Sequence, residues 1–184
     1  DVAHEGLITA KRNGKITILN PAPAAELPKE VFEVCDYITP NETEAEAITG
    51  LPVRNEAEAE SAAQSLAGLG VKTPIITMGE QGAFLSGYGM VSAFDAGPVV
   101  ETTGAGDAFN GAFAVALSEG KSAVDAVRFG CATAAISVTR PGTAPSHAPR
   151  EMKRNSCCDV RGSGRAYSVR CAHCAIYARS INRV

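Results

Sequence analysis

Apolar residues recur along this 184-residue chain in two alternating rhythms. Lys15-Ile16-Thr17-Ile18-Leu19-Asn20 is a short apolar run that the turn-rich Pro21-Ala22-Pro23 brings to a stop, which predicts a buried strand. A short helix around 28–34 leads into a second strand, Asp36-Tyr37-Ile38-Thr39, ended by Pro40. Residues 42–49 read as a helix with Gly50 as its C-terminal stop. Asn55, with Glu58 three positions on, is a good N-cap for a helix running to the Gly68/Gly70 region. Thr73 to Met78 is an apolar strand, after which Gly79, Gly82, Gly87 and Gly89 punctuate a hairpin-like stretch. Val99-Val100 is expected to end a strand, Glu101 to Ala105 to form a loop, and a helix to start at about Gly106. Its apolar set (Ala108, Phe109, Ala112, Phe113, Ala116, Leu117) falls at helical spacing. Ser122, followed by Asp125, caps a last helix in which Val124, Val127, Cys131, Ala134 and Val138 step by three and four. Strands alternating with helices predict an α/β layered fold, a three-layer sandwich with a mainly parallel sheet. Ligands in such folds sit at the carboxyl ends of the strands, where the Gly-rich loops of this chain fall.

Composition adds limits to this picture. With 45% hydrophobic and 20% charged residues the chain has the make-up of a globular protein and needs no disulfide or metal to hold a core. No window approaches the ~20 apolar residues of a membrane span, and Asp1 to Gly14 lacks the apolar centre of a signal peptide. The expected location is therefore the cytoplasm, with no membrane partner. The chain opens without a Met and in mid-pattern, which reads as a piece of a longer domain.

Charge is unevenly spread. Residues 1–151 hold 10 Lys and Arg against 19 Asp and Glu, which argues against nucleic acid as a partner. Residues 152–184 hold 7 against one, Asp159, together with Cys157, Cys158, Cys171 and Cys174. The last 33 residues thus look unrelated to the body. Cys158 with Cys171-Ala172-His173-Cys174 fits a zinc site weakly, and Cys171/Cys174 fits a redox pair more weakly still. The abrupt change in composition favours a third reading, a substituted or out-of-frame end without a function of its own. His4 and His147 stand alone and read as surface residues.

The chemistry concentrates in Thr102-Thr103-Gly104-Ala105-Gly106-Asp107-Ala108-Phe109-Asn110-Gly111. Small residues at 104–106 let backbone N–H groups approach an anion at a helix N-terminus, where the helix dipole is positive. Asp107 falls in the first turn, where a carboxylate suits the helix dipole and can accept a proton. An anion hole beside a carboxylate base suits transfer of a phosphoryl group to a hydroxyl. On spacing alone, a tight turn with a first-turn acid as a plain helix cap is the simpler account. No Gly-Lys-Ser/Thr follows, so it is not a Walker A loop.

Glu101 to Gly111 resembles the C-terminal signature of the ribokinase/phosphofructokinase-B carbohydrate kinases. Asn20-Pro21-Ala22-Pro23-Ala24, Ile38-Thr39-Pro40-Asn41-Glu42-Thr43-Glu44-Ala45 and Thr77-Met78-Gly79-Glu80-Gln81-Gly82 agree with the same family in order and spacing. The resemblance covers roughly residues 1–151. It implies an ATP-dependent sugar kinase, D-ribose being the foremost substrate, with another sugar or a nucleoside as the alternative. Asp107 would be the base, and Gly104, Ala105 and Gly106 the anion hole. Asn41 and Glu44 match an element placed around Mg²⁺ and the phosphates, although Glu44 alone also reads as a solvated helix face. Thr77, Met78, Gly79, Glu80, Gln81 and Gly82 match a nucleotide-contacting loop, and a plain strand-to-hairpin turn fits as well. Cys131 falls where the family offers a polar group near the adenine, while its periodicity marks a core cysteine.

The resemblance further implies a monovalent cation, usually K⁺, at Glu101, Thr103, Ser137, Arg140, Gly142 and Ser146, with Glu101 standing where Asp is usual. The family's sugar-gripping Gly-Gly segment and β-sheet lid have no counterpart in residues 1–30. The expectation is therefore a ribokinase-like domain truncated at its N-terminus. A homodimer through the lid is expected of a complete enzyme and not of this chain, which by itself would be an inactive nucleotide-binding piece if the missing elements are indispensable.

Overall fold

A computed structural model describes residues 2–23, 27–142, 158–162 and 165–169. The chain divides into two compact units, residues 1–92 and 93–184.

In the first unit the order is α1 (Val2–Arg12), β1 (Ile18–Leu19), α2 (Lys29–Glu33), β2 (Tyr37–Ile38), α3 (Glu42–Thr49), α4 (Glu56–Gly68), β3 (Thr73–Thr77), β4 (Gly82–Leu85) and β5 (Gly89–Ser92). The five strands form one sheet in sequence order. β1 pairs parallel with β2, and β2 with β3. β3–β4 and β4–β5 are antiparallel. The parallel character expected of the sheet thus holds for its first three strands. The short Gly-punctuated links beyond β3 leave no room for a crossover, so the chain can only fold back on itself there.

The expected strand at 15–20 shortens to Ile18–Leu19: the Thr17 carbonyl still takes the Tyr37 amide, but its own amide goes to the Asp36 side chain. The Thr17 amide donates to Asp36 Oδ2 at 3.1 Å, the Asp36 amide donates to Thr17 Oγ1 at 2.9 Å, and Thr17 Oγ1 donates to the Val34 carbonyl at 2.6 Å. Lys11 at the end of α1 completes the network, its Nζ 2.7 Å from Asp36 Oδ1.

Helices α2, α3 and α4 lay their apolar sides over the sheet. Val31, Phe32 and Cys35 meet Ile38, Ala45, Ala59, Ala62, Ala63, Leu66, Ile76, Met78 and Phe84 in one cluster. Ile75 and Ile76, adjacent in β3 and therefore on opposite faces, are both fully buried. Both faces of that strand are covered, as in a layered α/β fold.

The second unit contains α5 (Ala105–Ser118), α6 (Ala123–Ser137) and a hairpin of β6 (Cys158–Gly162) with β7 (Arg165–Val169). That pairing lies within residues 152–184, the segment whose composition sets it apart from the body. Phe109, Ala112, Phe113 and Ala116 recur along α5 at the helical repeat and are buried, as are Ala126, Val127, Cys131 and Ala132 on α6. Phe109 and Phe113 stack with ring centroids 6.0 Å apart. Gly130 of α6 lies against Phe109 so closely that a Cβ there would fall 2.7 Å from the ring.

Val99 and Val100, expected at a strand end, lie outside the described strands and are 65% and 57% exposed. Pro98 has no N–H to give a ladder, and the amides of Val100 and Glu101 donate to the Val138 carbonyl at the end of α6. No helix among the described residues is long and apolar enough to cross a membrane.

Two outcomes follow. Gly130→Ala forces the α5–α6 contact apart and should cost about 1–3 kcal/mol in denaturant unfolding followed by circular dichroism. Burial pushes the pKa of Asp36 up, but the Lys11 and Thr17 hydrogen bonds outweigh it and leave the carboxyl below its ordinary 3.8. Its stabilisation is therefore complete above that value and lost as pH falls through the lowered one. Asp36→Asn should cost about 1.5–3 kcal/mol at neutral pH, and that deficit should shrink in acid.

Candidate active site

The candidate residues fall into two groups, one in each unit. In the first, the chain leaving β2 runs through Thr39 and Pro40 to Asn41, the N-cap of α3. Asn41 Oδ1 accepts from the Glu44 amide at 2.8 Å, and Glu44 Oε2 accepts from the Asn41 amide at 2.9 Å. This reciprocal capping box holds both side chains in fixed rotamers at a helix start. Glu44 is intermediate in exposure and its carboxylate takes the Asn41 amide, so it belongs to the helix start as well as to the polar face of α3.

Asn41 also bridges to Thr77, whose amide donates to the Pro40 carbonyl at 2.9 Å. The ends of β2 and β3 are stitched together, and the Asn41/Glu44 pair is brought beside the loop that starts at Thr77. That loop is a single tight turn over Gly79–Gln81, closed by the Met78 amide on the Gly82 carbonyl at 2.8 Å and the Gln81 amide on the Met78 carbonyl at 2.9 Å. Gly79, Glu80 and Gln81 are exposed, whereas Met78 is 1% exposed with its side chain in the core. The Met78 side chain is therefore not available to a ligand.

In the second unit, Gly104 is the N-cap of α5, with φ 85° and ψ 0°, and no side chain caps the helix. That left-handed backbone explains the glycine, since a Cβ there would press on the following carbonyl. The Ala105 amide returns to the Thr102 carbonyl at 3.1 Å and the Ala108 amide to the Gly104 carbonyl at 2.9 Å. The N–H groups of Gly106 and Asp107 have no acceptor among the described residues. Both residues are exposed, so two N–H donors and a carboxylate share one helix start. This arrangement can hold an anion and accept a proton next to it. Asn110, unassigned by sequence reasoning, places its Nδ2 2.9 Å from the Gly106 carbonyl. The signal that could have marked it is its position four residues past Gly106 on the same helix.

The residues expected around a monovalent cation are partly drawn together. Glu101 Oε2 accepts from the Gly142 amide at 2.7 Å. Ser137 and Arg140 lie in the turn that leaves α6, where the Arg140 amide donates to the Ser137 carbonyl at 3.2 Å. The Ser137 hydroxyl donates to the Ala134 carbonyl at 2.7 Å, which leaves lone pairs on both its hydroxyl and its carbonyl oxygen. Thr103 is exposed in the loop before Gly104, and Ser146 lies outside the described residues, as do Cys171, His173 and Cys174. Cys131 is 6% exposed, and burial pushes its thiol up to about 12. It is a neutral core cysteine, in keeping with its periodicity. His4 is half-buried rather than on the surface, with its Nε2 enclosed and without a partner among the described residues.

Residues 1–150 match the family model described as pfkB family carbohydrate kinase. The chain is 46% identical over 145 residues to the ribokinase of Haemophilus influenzae, a match covering 77% of this chain and 47% of that protein. Among solved structures it superposes on the ribokinase of Thermotoga maritima with a TM-score of 0.67 at 46% identity, over 75% of this chain and 47% of that one. The ribokinase of Arabidopsis thaliana complexed with ribose and ATP gives a TM-score of 0.75 at 34% identity, over 79% and 48%. The chain spans about half the length of the relatives it matches.

Replacing Gly104 by Ala puts a side chain at φ 85°, and the variant should lose about 1–2 kcal/mol of stability, read as a shift in the urea midpoint.

Proposed function

This chain belongs to the pfkB family of carbohydrate kinases, and from that premise we propose that residues 1–151 serve ATP-dependent transfer of a phosphoryl group to a sugar hydroxyl. The observation that carries the reading is the start of α5, where the N–H groups of Gly106 and Asp107 stand without acceptors beside the exposed Asp107 carboxylate. Asp107 takes the proton of the attacking hydroxyl as its oxygen bonds to the γ-phosphorus and the bond to the departing ADP breaks. Gly104, Ala105 and Gly106 shape the turn whose amides meet the charge on the phosphoryl oxygens. Dipoles fixed in advance need no reorganisation at that moment, which is where such sites gain most of their rate. D-ribose is the favoured acceptor, supported by the names of the relatives and by the ribose and ATP of the Arabidopsis complex.

The loop from Thr77 to Gly82 and Asn41 are assigned to the nucleotide. Glu44 is the residue assigned to Mg²⁺. Its Oε2 takes the Asn41 amide and its second oxygen is a hard donor of the kind Mg²⁺ prefers. A divalent ion bound there would neutralise charge on the phosphates. Glu101, Thr103, Ser137, Arg140, Gly142 and Ser146 are assigned to K⁺. The Glu101 carboxylate and the carbonyls of the turn after α6 are an all-oxygen set, and the bond from Gly142 to Glu101 keeps that turn in reach. Residues 152–184 are assigned no part in the transfer.

The test pairs labelled phosphate transfer from ATP to ribose with ATP binding by calorimetry. Asp107→Asn should lower turnover by about 10²–10⁴-fold while ATP affinity stays within about twofold. Turnover near that of the parent would remove Asp107 as the base. A parent chain that binds ATP yet leaves ribose unphosphorylated would reduce the function to nucleotide binding.

A further inference from the structure

Asn110 sits one turn beyond Gly106 and donates through Nδ2 to the Gly106 carbonyl at 2.9 Å. Within an α-helix the same carbonyl also accepts the backbone amide of Asn110, so both of its lone pairs are engaged. That carbonyl and the Asp107 N–H are the two ends of one planar peptide unit. A second donor on the oxygen draws electron density from the nitrogen and makes the N–H at the other end a stronger donor. It also holds the plane of the peptide against tilting. The N–H so affected is one of the two at the start of α5 that have no acceptor among the described residues.

We infer that Asn110 is a positioning residue for the anion hole, setting the direction and donor strength of the Asp107 N–H through the Gly106–Asp107 peptide. The inference rests on the anion-hole reading of α5. Helix stability alone accounts poorly for an asparagine there. Asn is a weaker helix former than the Ala and Leu elsewhere in α5, and a side chain bonded back to its i−4 carbonyl adds little to a helix. The bond is directed instead at the one peptide whose N–H and whose following side chain are both assigned to the chemistry.

The test uses the full chain labelled with ¹⁵N, in the parent and in Asn110→Leu, Asn110→Ala and Asn110→Ser. The first readout needs no ligand. In the Leu and Ala variants the Asp107 amide proton should move upfield while the amides of residues 114–118 stay in place. The Ser variant, whose hydroxyl can bond the same i−4 carbonyl, should return towards the parent. The second readout is titration with ATP and Mg²⁺, where Leu and Ala should raise Kd about three- to tenfold and Ser should recover most of it. Should Leu fail to fold, Ala carries the comparison. An Asp107 amide and an ATP Kd unchanged in the folded donor-less variant would overturn the inference, as would a Ser variant that behaves like Ala. A parent that binds no ATP would overturn the anion-hole reading. The ligand-free amide shift would then still decide whether Asn110 polarises that peptide.

Discussion

The carboxylate of Asp36 fastens the first unit at one end of its sheet. Thr17, Asp36 and Lys72 each stand one residue before β1, β2 and β3, and parallel pairing brings these three entrances together. Asp36 takes the amide of Thr17 and the ammonium of Lys11, and lies 4.0 Å from Lys72. Its own carbonyl takes the amide of Thr73. With the amino ends so bound, the exits of the same strands are left to the loops. Parallel strands necessarily exit on one side, and there Asn41 meets Thr77. The Asp36 network and the residues proposed for the nucleotide thus stand at opposite ends of the same strands, so a change in one need not disturb the other.

A second constraint is the unmatched N–H groups that every helix start carries. Asn41, Asn55 and Ser122 each take a backbone amide of their own helix, which is what their side chains are for. α5 begins instead on Gly104, with no such bond. Glycine forgoes only a few tenths of a kcal/mol at that position, and Asp107 in the first turn offsets part of the local field. The arrangement is inexpensive to the fold and leaves amides pointing outward. That cheapness is why a phosphate-binding turn can be built from backbone alone.

Much of this was legible in the sequence, and the reasons differ by residue. Helix limits at Gly50, Asn55 and Ser122 were readable because caps are local: Asn55 and Ser122 each take an amide three residues on, and Gly50 turns into the left-handed region that ends α3. Strand limits were less so, because a strand exists only where a neighbour pairs with it. Ile16 carries the apolar pattern yet lies outside β1, and Val99-Val100 carries it yet pairs with none of the described strands, the Val100 amide going to the Val138 carbonyl. The motif at 102–111 named Asp107 and its glycines but not Asn110, whose part depends on a rotamer that aims Nδ2 back along the helix. Met78 and Cys131 were readable as apolar positions, and burial bears out that simpler half of their reading.

The approach to α5 is set from α6. The Val138 carbonyl holds the amides of Val100 and Glu101, and the Glu101 carboxylate holds the amide of Gly142, so the segment entering the Gly104 turn is tied on both sides to the chain leaving α6. The distance between the two helices is fixed separately by the contact of Gly130 with Phe109, whose ring stacks on Phe113. These are rigid, short-range contacts, and close packing transmits small displacements instead of absorbing them. A change of one methylene at residue 101 or 130 would therefore act at the Gly104–Asp107 turn without touching it. In this unit the backbone amides at the head of α5 are aimed by the tail of α6.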